Sequence, residues 1–158
     1  MKKALFLETL RTKRAEWETL LAEVDEARMT QPGPAGEWSL KDIIAHVTWG
    51  EREMVGVLQA RALVGSDLWG ASQFERNAAV YAQNRDCPLP EVLAEAQEVH
   101  ARLVDELEKL SDEDLNDARR FQQMPAEWIP WQLIAGNSYG HYDEHSPWIR
   151  AWLDQAEA

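Results

Sequence analysis

The chain has 158 residues, of which 45% are hydrophobic and 28% are charged, a balance that is typical of a folded globular protein and excludes a wholly disordered chain. Its formal net charge of −12 disfavours nucleic-acid binding, because phosphate backbones repel an acidic protein. The single cysteine, Cys87, excludes an intrachain disulfide, and no apolar run approaches the roughly 18 residues that a membrane span needs. We therefore expect a single cytoplasmic domain over residues 1–158, with no membrane partner.

Helical periodicity dominates the first part of the chain. The spacing of apolar residues predicts a first helix from Lys3 to about Ala27. A stretch rich in proline and glycine, residues 31–36, interrupts the pattern. Ser39, followed three residues later by an aspartate, predicts the capped start of a second helix that runs to about Leu63 or Val64.

The second part of the chain continues the helical pattern. After a loop, we predict a short helix over Gln73–Asn84 and a third long helix from the proline pair at 88–90 to about Leu110. Residues 111–117 are interpreted as a capped turn, and a final helix is predicted from Pro130 or Trp131 to about Trp152, kinked at Pro147. No convincing strand pattern is present. Four long amphipathic segments predict an all-α protein, a four-helix bundle.

Two of the four histidines, His141 and His145, lie four residues apart in the final helix. This spacing puts both imidazoles on one helix face, about 6 Å apart along the axis, where they can converge on one ion. At about 100° per residue, Asn137, Trp148 and Trp152 fall on the same stripe. We therefore expect these three residues to line a pocket beside the histidines.

The second helix contributes a further histidine, His46. The same angular spacing puts Trp49, Gly50 and Glu53 near it, so we expect His46 to point inward with free space beside Gly50. Three neutral imidazoles from two helices suit zinc, nickel or a similar divalent metal, with an open position for a ligand. Glu53 and Glu144 are the candidate catalytic proton carriers.

The histidine pattern has a second interpretation, in which the imidazoles are hydrogen-bonded core residues or form a purely polar pocket. His100, in the third long helix, is interpreted as a core or boundary residue rather than a fourth ligand. Cys87 has the character of an incidental thiol rather than a nucleophile.

Two segments resemble the DinB/YfiT-like superfamily. Residues Gly36–Trp49 are similar to the loop and second helix of that superfamily, and Asn137–Trp152, with its His-Tyr-Asp-Glu-His core, resembles the last helix. The resemblance implies a four-helix bundle, often dimeric, and in many members a divalent metal held by the residues that correspond to His46, His141 and His145. Some branches are thiol-dependent transferases or isomerases. The tryptophan-rich motifs resemble most the branch of the colibactin self-resistance protein, a hydrolase, in which some members lack the three histidines.

Three functional hypotheses follow. In the first, the protein is a metal-dependent enzyme that acts on a small molecule in a pocket walled by Trp49, Trp148 and Trp152, either as a hydrolase or as a transferase with a low-molecular-weight thiol cosubstrate. In the second, the protein is a toxin- or stress-resistance protein whose pocket binds or sequesters an aromatic or reactive small molecule without turnover. In the third, the protein is an interaction module that works as a homodimer.

Overall fold

Seven α-helices, one hairpin and three short 3₁₀ turns make up the regular structure of residues 1–157, the part of the chain that the computed structural model describes. In chain order the helices and strands are α1 (Lys3–Ala22), β1 (Pro32–Gly33), β2 (Gly36–Ser39), α2 (Leu40–Ala60), α3 (Gln73–Asn84), α4 (Leu89–Glu108), α5 (Asp112–Asn116), α6 (Pro130–Gly136) and α7 (Tyr139–Glu157).

The four long helices, α1, α2, α4 and α7, form a bundle, which confirms the predicted all-α fold. The main pairings are α2 against α4 and α1 against α7, while α3 packs across α2. The helices meet along one continuous hydrophobic core whose fully buried members include Phe6, Leu10, Ile43, Leu103 and Ile149. No helix within residues 1–157 combines the length and the apolar character needed to cross a membrane.

Helix α2 is the central helix of the bundle. Its start is set by a capping box, in which the Ser39 hydroxyl accepts from the Asp42 amide and the Asp42 carboxylate accepts from the Ser39 amide. Seventeen of its 21 residues are buried. The helix ends at Ala60, three or four residues earlier than predicted, because Arg61 adopts a left-handed conformation with φ of 50°. Because most residues of α2 are buried, the polar residues in its middle also lie against neighbouring parts of the protein.

The proline- and glycine-rich break is a small antiparallel hairpin, which corrects the expectation that the chain has no strand. Pro32 pairs with Ser39 and Gly33 with Gly36. Strands of two and four residues are too short to produce a period-two pattern in the sequence, which explains why the prediction missed them. Gly36 has φ of +66°, a conformation that glycine adopts at no steric cost.

The final helical segment is divided into two helices rather than one. The break lies at Asn137 and Ser138, and the Ser138 hydroxyl donates to the carbonyl of Ile134 (2.7 Å) where α6 ends. A serine that bonds to its own helix in this way competes with the regular ladder of backbone hydrogen bonds. Helix α7 then continues through Pro147 to Glu157, so the interruption lies ten residues before the proline. The first helix is also shorter than predicted and ends at Ala22.

Candidate functional site

The structure brings three of the four histidines together between two helices. His46 comes from the second turn of α2, and His141 and His145 come from successive turns of α7. The ring centroids lie 5.1 Å apart for His46 and His141, 5.4 Å for His46 and His145, and 5.8 Å for His141 and His145. His46 lies 95 positions before His141 in the sequence, so the cluster is a product of α2–α7 packing.

Buried nitrogen atoms of this cluster have no hydrogen-bond partner in the part of the chain that the structure describes. They are Nδ1 of His46, Nδ1 of His141 and both ring nitrogens of His145. Buried polar atoms in folded proteins are nearly always satisfied, so an orphaned set calls for a ligand or ion. This finding argues against the second interpretation, in which the three residues are hydrogen-bonded core histidines.

The environment keeps all three imidazoles neutral near pH 7. Burial, reinforced by the positive charge that the neighbouring histidines can carry, lowers the pKa of His46 to about 3. Burial and His141 likewise lower the pKa of His145 to about 4. Burial also lowers the pKa of His141, although Glu144 and Glu51 oppose the shift. A neutral imidazole keeps a nitrogen lone pair, which is the form that binds metals.

The spacing of the three rings matches a metal site, although the side chains do not form one as they stand. Three imidazoles on one tetrahedral zinc ion, with Zn–N bonds of about 2.0–2.1 Å, have ring centroids about 5.2 Å apart. Within residues 1–157 no group of three or more His, Cys, Asp or Glu side chains is arranged to hold a metal ion as it stands. The donor chemistry and spacing fit a divalent ion, and binding would require the rings to reorient.

A pocket of about 340 Å³ opens onto the histidines. This volume lies within the range of small-molecule sites. Three indole rings form most of its apolar wall: Trp38 from β2, Trp49 from α2 and Trp148 from α7. Trp148 packs edge-on against His145 with centroids 4.8 Å apart, and Trp38 packs edge-on against His46 at 5.6 Å. The complete lining is Ala35, Trp38, His46, Trp49, Gln73, Arg76, Asn77, Asn137, His141, Glu144, His145 and Trp148.

Gly50 provides the space in which His141 lies. A Cβ atom added at Gly50 would come within 3.0 Å of both Cε1 and Nδ1 of His141, and within 3.1 Å of the Asn137 carbonyl oxygen. Contacts this short require the neighbouring groups to move. The free space that was expected beside Gly50 is thus occupied by an imidazole from α7.

Four of the six non-histidine residues that were predicted to form the site do line the pocket: Trp49, Asn137, Glu144 and Trp148. The side-chain nitrogen Nδ2 of Asn137 donates to the Leu133 carbonyl (2.9 Å), which leaves the side-chain oxygen of Asn137 as an acceptor. Glu144 is exposed and lies at the rim. Its charge acts on His141 and His145, because it raises the pKa of both against the effect of burial.

The other two predicted site residues, Glu53 and Trp152, do not line the pocket. Glu53 is buried beneath the loop after α2 and accepts a hydrogen bond from the Ser66 amide (2.8 Å). Trp152 packs against Gly33 in the hairpin and under the guanidinium of Arg28, 4.3 Å from its ring centroid. Both lie on the predicted helix stripe, but seven residues beyond a histidine correspond to about 10 Å along the axis. This axial distance removes both residues from the pocket.

One wall of the pocket was missed by the sequence analysis. Gln73, Arg76 and Asn77 from α3 line it, and the Arg76 guanidinium lies 5.6 Å from the ring centroid of Trp49. The helix itself was predicted correctly, and its 73-76-77 spacing gives one polar face. That face resembles any solvated helix surface, so only the docking of α3 on α2 reveals its role. Trp38 was also missed as a wall residue, although it lies within the segment that carries the family resemblance.

A second polar cluster lies deeper in the bundle, among residues that do not line the pocket. Glu51 is fully buried, and its carboxylate accepts hydrogen bonds from the hydroxyl of Tyr142 and from Nδ1 of His100 (3.2 Å). The Arg14 guanidinium lies 3.8 Å from the other carboxylate oxygen. Burial, together with the charge of Glu51, raises the pKa of Tyr142 strongly. His100 therefore belongs to this cluster, which agrees with its interpretation as a core or boundary residue.

Comparisons with known proteins identify the fold and the family. The family model for the DinB superfamily matches residues 9–144, which is more than half of the chain. No significant match to a curated protein is found. The chain superposes on the crystal structure of an uncharacterised protein from Escherichia coli UTI89 with a TM-score of 0.82 and 15% identity, covering 99% of this chain and 95% of that one.

A second solved structure, described as Sibling Lethal Factor Precursor - DfsB, superposes with a TM-score of 0.77 and 19% identity, covering 99% of this chain and 97% of that one. At these identities the structural neighbours establish the fold alone. The family assignment rests on the matched model, which includes His46 and His141 and ends one residue before His145. The chain belongs to the DinB superfamily.

Proposed function

We propose that this protein is a metal-dependent enzyme that acts on a small molecule in the tryptophan-lined pocket. The observation that carries the proposal is the set of orphaned, neutral imidazole nitrogens of His46, His141 and His145 at the pocket wall. Zinc and nickel are the ions that such a nitrogen donor set favours. His46, His141 and His145 would hold the ion, which would supply Lewis acidity to activate a nucleophile from outside the protein.

The remaining residues of the pocket would bind and orient the substrate. The indoles of Trp38, Trp49 and Trp148 provide flat apolar surfaces and exclude water from the histidines. Glu144 is the one carboxylate among the described lining residues, and it is the candidate to accept or deliver a proton at the rim. Asn137 offers a side-chain oxygen to a substrate donor.

The lining chemistry favours a nucleophile that comes from outside the protein. No described residue of the lining is a serine, threonine, cysteine or lysine. Cys87 lies in the turn between α3 and α4, where its thiol donates to the Gln83 carbonyl at 3.7 Å. Water, in a hydrolase, and a low-molecular-weight thiol, in a transferase, are the two nucleophiles that we propose.

Metal analysis tests this proposal directly. Wild-type protein reconstituted with zinc or nickel and then dialysed should retain about one ion per chain, and its Tm should rise on metal addition. The His141→Ala variant should retain at least tenfold less metal, and His100→Gln, which changes a histidine outside the pocket, should retain the wild-type amount. Wild-type protein that keeps no metal and shows no Tm shift would remove the proposed function.

A second candidate function is binding or sequestration of a small molecule without turnover, and the three indole walls favour it. Tight ligand binding that persists after replacement of all three histidines would support this alternative over catalysis.

We also propose a homodimer in the cytoplasm. Exposed apolar side chains such as Phe74, which is 83% exposed, are available for self-association, and sedimentation velocity over a concentration series tests it.

A further inference from the structure

The α3 wall of the pocket carries three side chains with N–H donors. Gln73, Arg76 and Asn77 share one face of α3, and all three line the pocket. Within the described part of the chain, the side-chain nitrogens of these residues donate to no other residue; the contact that Arg76 makes is with the face of Trp49. A donor set that the fold itself does not use is available for a ligand.

Arg76 gives this wall its charge. It is the only lysine or arginine among the described residues that line the pocket, and it lies near the histidines, since its charge is among the factors that oppose protonation of His46 and His141. No carboxylate of the described chain lies within salt-bridge distance of it, and Glu144, the one carboxylate among the described lining residues, comes from a different helix, α7. Most other arginines here have such a partner, for example Arg52 with Glu95 and Arg61 with Asp114.

We propose that Gln73, Arg76 and Asn77 bind an anionic oxygen group, a carboxylate or a phosphate, of a small molecule whose apolar part packs against the indoles of Trp49 and Trp148. A guanidinium presents a planar fork of donors that matches two oxygens of such a group. The stacking of Arg76 over Trp49 holds the fork at the wall, and the neighbouring amides add donors on either side. This inference deepens the proposed function by naming the substrate class of the same pocket.

Binding of three small probes to metal-free protein tests the inference. Phenylacetate, phenyl phosphate and the neutral phenylacetamide share an aromatic ring and differ in charge, and NMR titration of the tryptophan indole N–H signals reports their affinities. At least one of the two acids should bind about tenfold more tightly than the amide. The comparison between the two acids decides whether the group is a carboxylate or a phosphate.

Variants of two arginines on or next to α3 complete the test. Arg76→Met should weaken binding of the preferred acid about tenfold and leave the affinity for the amide unchanged. Arg76→Lys should retain part of the affinity for the acid. Arg85→Met, at the exposed end of α3 beside Asp86, is the matched control and should bind as wild type does. Far-ultraviolet circular dichroism verifies that each variant is folded.

Equal affinity of wild-type protein for the amide and both acids would overturn the inference, as would unchanged acid binding in Arg76→Met. Because the titrations use protein stripped of metal, they are independent of the metal analysis. If zinc and nickel fail to bind while the Arg76 effect is present, the proposed metal chemistry fails and the anion-binding inference stands.

Discussion

Small residues and axial position decide which side chains reach the candidate site. His141 can approach His46 because Gly50, one turn further along α2, has no side chain. Glu53 and Trp152 show the converse, because they occupy the correct helix faces but lie about two turns too far along the axis. At the scale of single residues, the sequence pattern thus predicts direction around a helix better than it predicts which residues share one pocket.

Substitution of two glycines in α2 tests the role of Gly50. Gly50→Ala should destabilise the protein by about 1–2 kcal/mol, because the new methyl group overlaps the His141 ring and the Asn137 carbonyl. Gly56→Ala, on the same helix with no neighbour within 4 Å, should stabilise it by about 0.5–1 kcal/mol through helix propensity. Urea unfolding measures both values. Equal stability of the two variants would contradict the packing argument.

The elements of the bundle are joined by two polar clusters of different character. The histidines connect α2 and α7 at the pocket, with their nitrogens unsatisfied by the described chain. The Glu51 cluster connects α1, α2, α4 and α7 deeper in the core, through Arg14, His100 and Tyr142. The Glu51 carboxylate, hydrogen-bonded from α4 and α7 and 3.8 Å from the Arg14 guanidinium of α1, connects these three helices to α2.

Two adjacent residues of α2, Glu51 and Arg52, allow the stability contribution of a buried polar cluster to be compared with that of an exposed ion pair. Glu51→Ala should cost about 2–3 kcal/mol of unfolding free energy, because it removes the buried acceptor of the Tyr142 hydroxyl and of His100 and leaves Arg14 with Glu18 as its ion-pair partner. Arg52→Ala removes the ion pair with Glu95, in which both side chains are more than 40% exposed, and should cost at most about 1 kcal/mol. Chemical denaturation of both variants provides the comparison. Similar losses would show that the Glu51 cluster is not a buried electrostatic connection.

The stability of the whole molecule should depend on pH through the same histidines. In the unfolded chain a histidine has a pKa near 6.5, whereas in the folded protein the pKa values of His46 and His145 are lowered to about 3 and about 4. Between these limits the unfolded state binds more protons than the folded state. Metal-free protein should therefore be most stable above about pH 6.5 and lose stability as the pH falls towards 4.

A histidine variant isolates this contribution. His145→Gln should reduce the dependence of unfolding free energy on pH by about one proton, or about 1.4 kcal/mol per pH unit, between pH 6 and about pH 4.5. Urea midpoints measured in the presence of a chelator at several pH values give the slope for each protein. Contributions from carboxylates cancel in the difference between wild type and variant. Parallel curves would mean that His145 is not held neutral by burial.

Much of the molecule could be predicted because the responsible signals are local. Apolar periodicity predicted the four long helices, the serine-aspartate pair at 39 and 42 predicted the start of α2, and the four-residue spacing of His141 and His145 predicted a shared helix face. Each of these features involves residues within one or two helical turns. Their energetic preferences are therefore readable from sequence alone.

Local sequence signals did not predict the hairpin or the break between α6 and α7. The strands of the hairpin are too short for periodicity, and the break at Asn137 and Ser138 involves residues that also occur inside helices. Local propensity is weak at both places, so packing of the neighbouring elements determines the backbone there.

The sequence by itself determined the helices, their inward faces and the three histidine candidates, because these depend on spacing along a single helix. Only the tertiary structure decided that α3 closes the pocket with Arg76, that Glu51 meets Tyr142, and that Glu53 and Trp152 lie elsewhere. The physical reason is that such contacts depend on the axial register and docking of separate helices. Residues 51 and 142 are brought together by packing of the whole core, which no short stretch of sequence encodes.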